Sequence, residues 1–251
     1  TEIMPEGVDA LPPHLAKLYK DDSLVRVFKL ARKSSVHRHV PLDAVMVRLF
    51  DKSGKPRGEA VFVGLFTSVT YSRSIRDIPY LSRKTSIVMN RAHFSGGSHG
   101  YKALSHILEK YPRDELFQID IDTLYEYTQS IMRLQERQRI ALYTRVDTFG
   151  RHISCLVYVP RDRYDTQLRM KIQTILETEL DGVCENFYTT LDDSPLARVM
   201  LVIALNPKAK PEFDRAAIEA QLQEAGRAWP EQIHSALSTK IDDESEVARL
   251  T

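Results

Sequence analysis

The order of apolar segments between residues 139 and 206 constrains this chain more than any other feature. "RIALYTRVD" reads as a strand, "TFGR" as a turn and "HISCLVYVP" as a second strand. Asp165 stands where an N-cap belongs, ahead of the helical run "TQLRMKIQTILETEL". In that run Leu168, Ile172, Ile175, Leu176 and Glu179 form a stripe with only the last position polar. "VCENFYTTL", the turn "DDSP" and "LARVMLVIAL" complete a β-β-α-β-β order. Four strands with one helix between them fold as two layers, a sheet with a helix on one face, which is an α+β architecture. A further helix is expected from Pro211 through "FDRAAIEAQLQEAGRAW", on the same face or leading onward. Pro230 should kink or restart it before "EQIHSALS".

The amino-terminal half repeats the β theme and then abandons it. Residues 1–23 are polar, with Pro12-Pro13, and read as an entry segment. In "LVRVFKLARK" Val25, Val27 and, less cleanly, Leu30 alternate with Arg26, Lys29 and Arg32, as on a strand with one wet face. "LDAVMVRLFD" and "EAVFVGLFTSV" flank the turn "KSGKPRG" and predict a hairpin. The continuous apolar run from Val61 to Phe66 predicts burial on both faces. Leu81, Thr85, Val88 and Ala92 then recur at helical spacing over residues 79–93, behind Ile78-Pro79. Ala103, Leu104, Ile107 and Leu108 mark a second helix, which Pro112 ends near Tyr111. "PRDELFQ" offers one short turn. Ile121, Leu124, Tyr125, Thr128, Ile131 and Met132 predict a long amphipathic helix over residues 120–137, with Tyr125 and Met132 in its core. The chain therefore divides into an entry segment (1–23), a first β-rich module with a closing helix (24–94), a helical connector (95–138), a second module (139–206) and a helical tail (207–251).

Charge and motif content exclude several functions. Lys and Arg total 35 against 34 Asp and Glu, so no overall field favours nucleic acid or an anionic membrane. No apolar run approaches the roughly 18 residues of a membrane span, and no secretion signal opens the chain. Cys155 and Cys184 lie in separate apolar stretches without metal-ligand spacing and read as buried free thiols in a reducing cytoplasm. The chain opens on Thr1 and stops in the charged run "DDESEVARLT", so a piece of something longer is expected. No catalytic residue, cofactor-binding motif or metal site emerges.

Three constellations merit weighing. "FSGGSHGYK" has the glycines of a phosphate loop, but Tyr101 separates Gly100 from Lys102, Ala103 stands where a hydroxyl is needed, and a helix rather than a strand precedes it. Gly96, Gly97 and Gly100 instead read as a glycine-rich helix cap and a hinge, with Ser98 capping the next helix. His37 and His39 share one face of an extended segment, with Arg38 between them. Without a third ligand nearby they read as surface or effector contacts rather than a metal site. Arg161 and Arg163 in "YVPRDRYDT" can clamp a carboxylate, although a solvated loop whose charges pair with each other explains the same residues. Arg145, Asp147 and Arg151 on the preceding hairpin read as surface charges.

Several long phrases point to a family. "GLFTS", "RDIPYLSRK", "YPRDELFQ", "LQERQRIALYTRVDTFGRHISCLVYVPRDRYDT" and "SPLARVMLVI" together resemble the regulatory region of the large bacterial NAD-specific glutamate dehydrogenases. The resemblance runs from about Val25 to Ala236. It implies two ACT-like (ferredoxin-like related) sheet modules, PAS-like in one part, with helices on one face and a helical connector between them. It also implies a catalytic domain elsewhere in the same protein, which uses NAD to oxidise L-glutamate to 2-oxoglutarate and ammonia. This chain itself would be inactive, without cofactor and cytoplasmic. Homo-oligomer assembly and regulation by an amino-acid effector are the expected roles. The glycine-bearing β-α turn of amino-acid-binding ACT units is replaced here by "PRDRYD", which favours scaffolding over sensing. A stand-alone nucleic-acid-binding module is a third reading. Tyr143, Tyr158 and Phe187 lie on strands that lack a basic face.

Overall fold

A computed structural model describes residues 23–36, 40–206 and 212–227. Among the described residues, two antiparallel sheets and seven α-helices give the expected α+β class. By contact the chain forms two compact units. The first comprises residues up to Arg133 together with Arg145–His152, and the second comprises Leu134–Thr144 and the residues from Ile153 onward.

In the first unit, β1 (Val25–Lys33), β2 (Pro41–Phe50) and β3 (Pro56–Gly64) form an antiparallel meander in sequence order. The β2–β3 hairpin pairs Val45 with Phe62 and Ala44 with Val63. Its turn is held by Asp51, whose carboxylate accepts from the Ser53 and Lys55 amides at 2.8 and 2.9 Å, with Gly54 at φ +80°. The expected two-faced burial of β3 is overturned. Val61, Phe62 and Val63 are 50%, 64% and 56% exposed. Val61 and Val63 lie on one face of this edge strand and Phe62 on the other, so neither face is covered at this point. Phe66, beyond the strand, is half-buried and stacks on Phe117 with centroids 4.4 Å apart.

Five helices follow: α1 (Ser68–Ser72), α2 (Pro79–Arg91), α3 (His99–Lys110), α4 (Arg113–Gln118) and α5 (Ile121–Glu136). Pro79 opens α2 at a first-turn position where its missing amide costs nothing. The α2 stop is not a glycine cap: His93, at φ 52°, takes the left-handed position. Ser98 caps α3 as expected, accepting from the Tyr101 amide at 3.2 Å. Tyr111 and Pro112 end α3, and Leu104, Ile107 and Leu108 form its buried stripe. On α5, Leu124, Thr128 and Ile131 are buried as the periodicity requires. Tyr125 and Met132 are only half-buried, while Tyr127 and Leu134 take core positions, so the stripe is rotated slightly from the expected one.

The second unit holds β4 (Ala141–Val146) apart from its tip, β5 (His152–Pro160), α6 (Thr166–Glu179), β6 (Gly182–Thr190), β7 (Leu196–Leu205) and α7 (Arg215–Ala225). Sheet order is β4-β5-β7-β6, so two hairpins meet through β5 and β7. These central strands are almost wholly buried, and their continuous apolar sequence reflects that. Asp165 caps α6 through the Leu168 amide at 2.7 Å, and Leu168, Ile172 and Leu176 face inward. Asp214 caps α7 through the Ala216 and Ala217 amides. This last helix packs beside α6 and clasps the start of β4, since Glu219 accepts from the Leu142 amide at 2.9 Å. Gly226 ends α7 against Ile140, where an added Cβ would come within 2.2 Å of the tip of the Ile140 side chain and make it shift. The "EQIHSALS" continuation lies outside the described residues.

Candidate functional site

The densest polar constellation centres on α4, six residues that the sequence marks only as a turn. Each of its charged side chains is committed to a distant partner in the first unit. Arg113 donates to Glu109 at 3.1 Å and to the Arg73 carbonyl at 3.0 Å. Asp114 accepts from Lys29 of β1 at 3.0 Å and from the Tyr71 hydroxyl of α1 at 3.2 Å. Glu115 receives a two-pronged pair from Arg145, Nε and Nη2 each at 2.7 Å. At the far end, the buried Lys84 of α2 donates to the carbonyls of Leu116, Phe117 and Ile119 at 2.9, 3.0 and 2.8 Å. Lys84 thus caps a helix whose last carbonyls would otherwise be buried without donors.

Burial decides the strength of these contacts. The Arg145 and Glu115 side chains are 14% and 6% exposed, so their pairing is a desolvated bidentate bridge rather than a surface ion pair. Burial works against the Arg145 charge, yet Glu115 holds its pKa above the ordinary arginine value. Burial likewise opposes the Lys29 charge, but Asp114 and Asp43 outweigh it and raise the lysine. Asp43 is itself raised, because burial outweighs the help of Lys29. Among the described residues, Lys84 has no carboxylate in bonding contact. Burial, with Arg145 nearby, pushes it down to about 8.

Arg145, Asp147 and Arg151 therefore correct the surface reading. The tip of the β4–β5 hairpin, residues 145–152, belongs to the first unit. Phe149 meets Phe28 edge-on at 5.3 Å, and Arg151 donates to the Lys29 carbonyl at 2.6 Å. Asp147 is 8% exposed and holds the tip turn through the His152 amide at 3.1 Å. Asp147 is buried, Arg145 nearly so and Arg151 half-buried, because β1 and α4 cover this surface, which sequence alternation along the hairpin cannot reveal.

The other residues singled out by sequence lie apart from this cluster. Arg161, at the end of β5, donates to the Asp192 carbonyl in the β6–β7 turn, while its own amide donates to Pro195 at 2.9 Å. Its guanidinium thus fastens a turn, which Arg198 secures further by pairing with Asp192 at 2.7 Å. Arg163 is exposed on the same short 3₁₀ turn. His37, Arg38 and His39 lie outside the described residues. Gly97 has φ +81°, whereas Gly96 and Gly100 have no positive φ, and a Cβ on Gly100 would meet the Phe94 ring at 2.8 Å. The loop does not fit a dinucleotide: a helix feeds it, and the Ser98 hydroxyl is turned onto the Tyr101 amide. Cys155 is buried, but Cys184 is only half-buried because it lies on the edge strand β6. Among the described residues, no group of three or more His, Cys, Asp or Glu is placed to hold a metal ion. No described helix is long and apolar enough to cross a membrane.

Sequence reasoning put Arg26 and Lys29 on a wet face, but Arg26 is 7% exposed and pairs with Glu59, while Lys29 is held by Asp43 and Asp114; Lys84, Asp114 and Glu115 it missed. Lys84 alone carried a local signal. It falls three residues after Leu81 and four before Val88, on the inward stripe of α2.

Comparison with known proteins bears on the same segments. Residues 78–137 match the family described as glutamate dehydrogenase, helical motif 1, and residues 141–230 match that described as glutamate dehydrogenase, ACT2 domain. The NAD-specific glutamate dehydrogenase of Halomonas elongata is 39% identical over 222 residues, covering 88% of this chain and 14% of that protein. That of Pseudomonas aeruginosa is 38% identical over 216 residues, covering 86% of this chain and 13% of the relative. That of Mycobacterium tuberculosis is 30% identical over 184 residues, 68% of this chain and 11% of the relative. The matched region is thus a small part of each relative.

Proposed function

The chain belongs, as a segment, to the NAD-specific glutamate dehydrogenase family, and on that premise we propose that it is a non-catalytic regulatory and oligomerisation region. Its longer protein would oxidise L-glutamate with NAD⁺ and water to 2-oxoglutarate, ammonia and NADH in the cytoplasm, and this region would brace the catalytic domain. The observation that carries the reading is that both sheets end in an edge strand with exposed large apolar residues. On β3 these are Val61, Phe62 and Val63, and on β6 they are Val183, Phe187 and Tyr188. Unpaired apolar edges of this kind associate unless something covers them. The committed ion pairs of α4 fit bracing better than chemistry, since both of its carboxylates are already engaged. The glycine loop would serve as a hinge within that brace.

A second reading, amino-acid sensing, keeps the exposed Arg161–Arg163 turn as its contact. The bond from Arg161 to the Asp192 carbonyl weighs against it, because that guanidinium already has an acceptor. Solution mass measured across a range of concentrations tests the first reading. It should show a dimer or larger assembly and no hydride transfer to NAD⁺. A monomer throughout refutes oligomerisation, and heat released on titration with one amino acid would favour sensing.

A further inference from the structure

Three backbone carbonyls at the end of α4 converge on one point inside the first unit. Those of Leu116, Phe117 and Ile119 lie 2.9, 3.0 and 2.8 Å from the Lys84 ammonium. The residues that carry them are 5% exposed or less, and among the described residues no backbone amide donates to any of the three. Without a cation at their centre, these oxygens would be buried with no donor at all.

The match is one of number as well as charge. An ammonium has three N–H donors and no acceptor, and here each donor meets one carbonyl. A neutral amine would turn its lone pair on one of them, and a hydroxyl could donate to only one. Burial and Arg145 oppose a charge at this point, while Asp120 and Glu115 favour it. The Tyr80 ring, with its centroid 4.8 Å from the nitrogen, favours it too. Among the described residues no carboxylate touches the ammonium, so the anionic oxygens that a divalent ion takes are missing. The arrangement suits a single, compact positive charge.

We propose that these three carbonyls form a binding site for a primary ammonium group, and that Lys84 is its ligand, delivered on a tether by α2. The fold then recognises the ammonium rather than the lysine. With the tether removed, the site should take a free ion of the same chemistry from solution. Lys84→Ala deletes a short methylene chain and its ammonium, which n-propylammonium restores heavy atom for heavy atom.

Chemical rescue tests this on the full chain, at about pH 7 where a free alkylammonium carries its charge. Lys84→Ala should unfold at lower urea than the parent, or fail to fold, and n-propylammonium chloride should restore it in a saturating manner. At a concentration about five times the dissociation constant, the ratio of folded to unfolded chain should rise about sixfold. Two chains should show no such gain: the parent, whose site is filled, and Lys84→Met, whose side chain still occupies the path to the carbonyls. Tetramethylammonium chloride, a charge without N–H donors, and propan-1-ol, a chain without the charge, should not rescue Lys84→Ala. Equal rescue by either one reduces the effect to salt or cavity filling and overturns the assignment. So does a Lys84→Ala chain that n-propylammonium leaves unchanged, or a parent or Lys84→Met chain that gains as much.

Discussion

Raising the pH should stabilise the first unit, and Lys84 sets the size of the effect. Lys84 is 7% exposed, its ammonium is held by three carbonyls without a contacting carboxylate among the described residues, and its pKa falls from 10.5 to about 8. A lysine depressed in the folded state binds fewer protons there than in the unfolded chain throughout the interval between these values. Stability therefore rises with pH across that window and is lower below it. The full shift corresponds to about 3 kcal/mol, and moving from about pH 7.5 to about pH 9.5 recovers about 2 kcal/mol of it. Urea unfolding followed by circular dichroism at several pH values measures this directly. Lys84→Met provides the reference, because the methionine has a similar shape and does not titrate. That variant should lose about 1–3 kcal/mol near neutral pH, from carbonyls left without a donor, partly offset by removal of the buried charge. Its stability should be flat where the parent rises. Parallel pH profiles for parent and variant would refute the argument. A Cys184→Ser background removes a thiol that burial raises and that would favour folding at lower pH from about pH 9. Measurements should stop short of pH 10, where Tyr158, also raised by burial, begins to do the same.

Other substitutions separate the remaining contacts. Arg145→Met leaves Glu115 buried without its cation and should cost about 3–5 kcal/mol, while Glu115→Leu with Arg145→Met should recover most of that loss; thermal melts of the three variants measure it. Asp165→Ala removes the α6 cap and should cost about 1 kcal/mol in urea unfolding. Gly182→Ala would place a Cβ 2.6 Å from the Ala204 carbonyl oxygen, which must displace one strand of the β6–β7 ladder; a loss of at least about 1–3 kcal/mol is expected by the same method.

The parts of the fold that could be read from sequence are those written within one element or between neighbours. The order of strands and helices, the Ser98 and Asp165 caps, the stop before Pro112 and the hairpin at Ser53-Gly54 all follow from spacings of a few residues. Exposure of β3 is not readable, because an apolar run looks the same whether the faces of its strand are covered or bare. The α4 cluster was harder still. Glu115 and Arg145 are thirty positions apart, and each sits in a segment whose local pattern is that of an ordinary wet surface. Their partnership belongs to topology, which periodicity does not encode. The Arg161 loop was read correctly as to its place at the end of β5, but its engagement with the β6–β7 turn depends on a hairpin that closes later in the chain.

The hairpin tip has a consequence for how this region can be taken apart. Because Arg145–His152 complete the first unit, that unit is discontinuous along the chain. Cutting at the obvious linker, after Gln138, would yield an amino-terminal piece with all of its helices and strands and a buried carboxylate at Glu115 stripped of its cation. Grafting the second module onto another protein would export Arg145, Phe149 and Arg151 without the surfaces that bury them. Shuffling by whole modules is thus penalised at this seam, and insertions and exchanges should be better tolerated in the β2–β3 turn, where Lys52 to Lys55 are exposed.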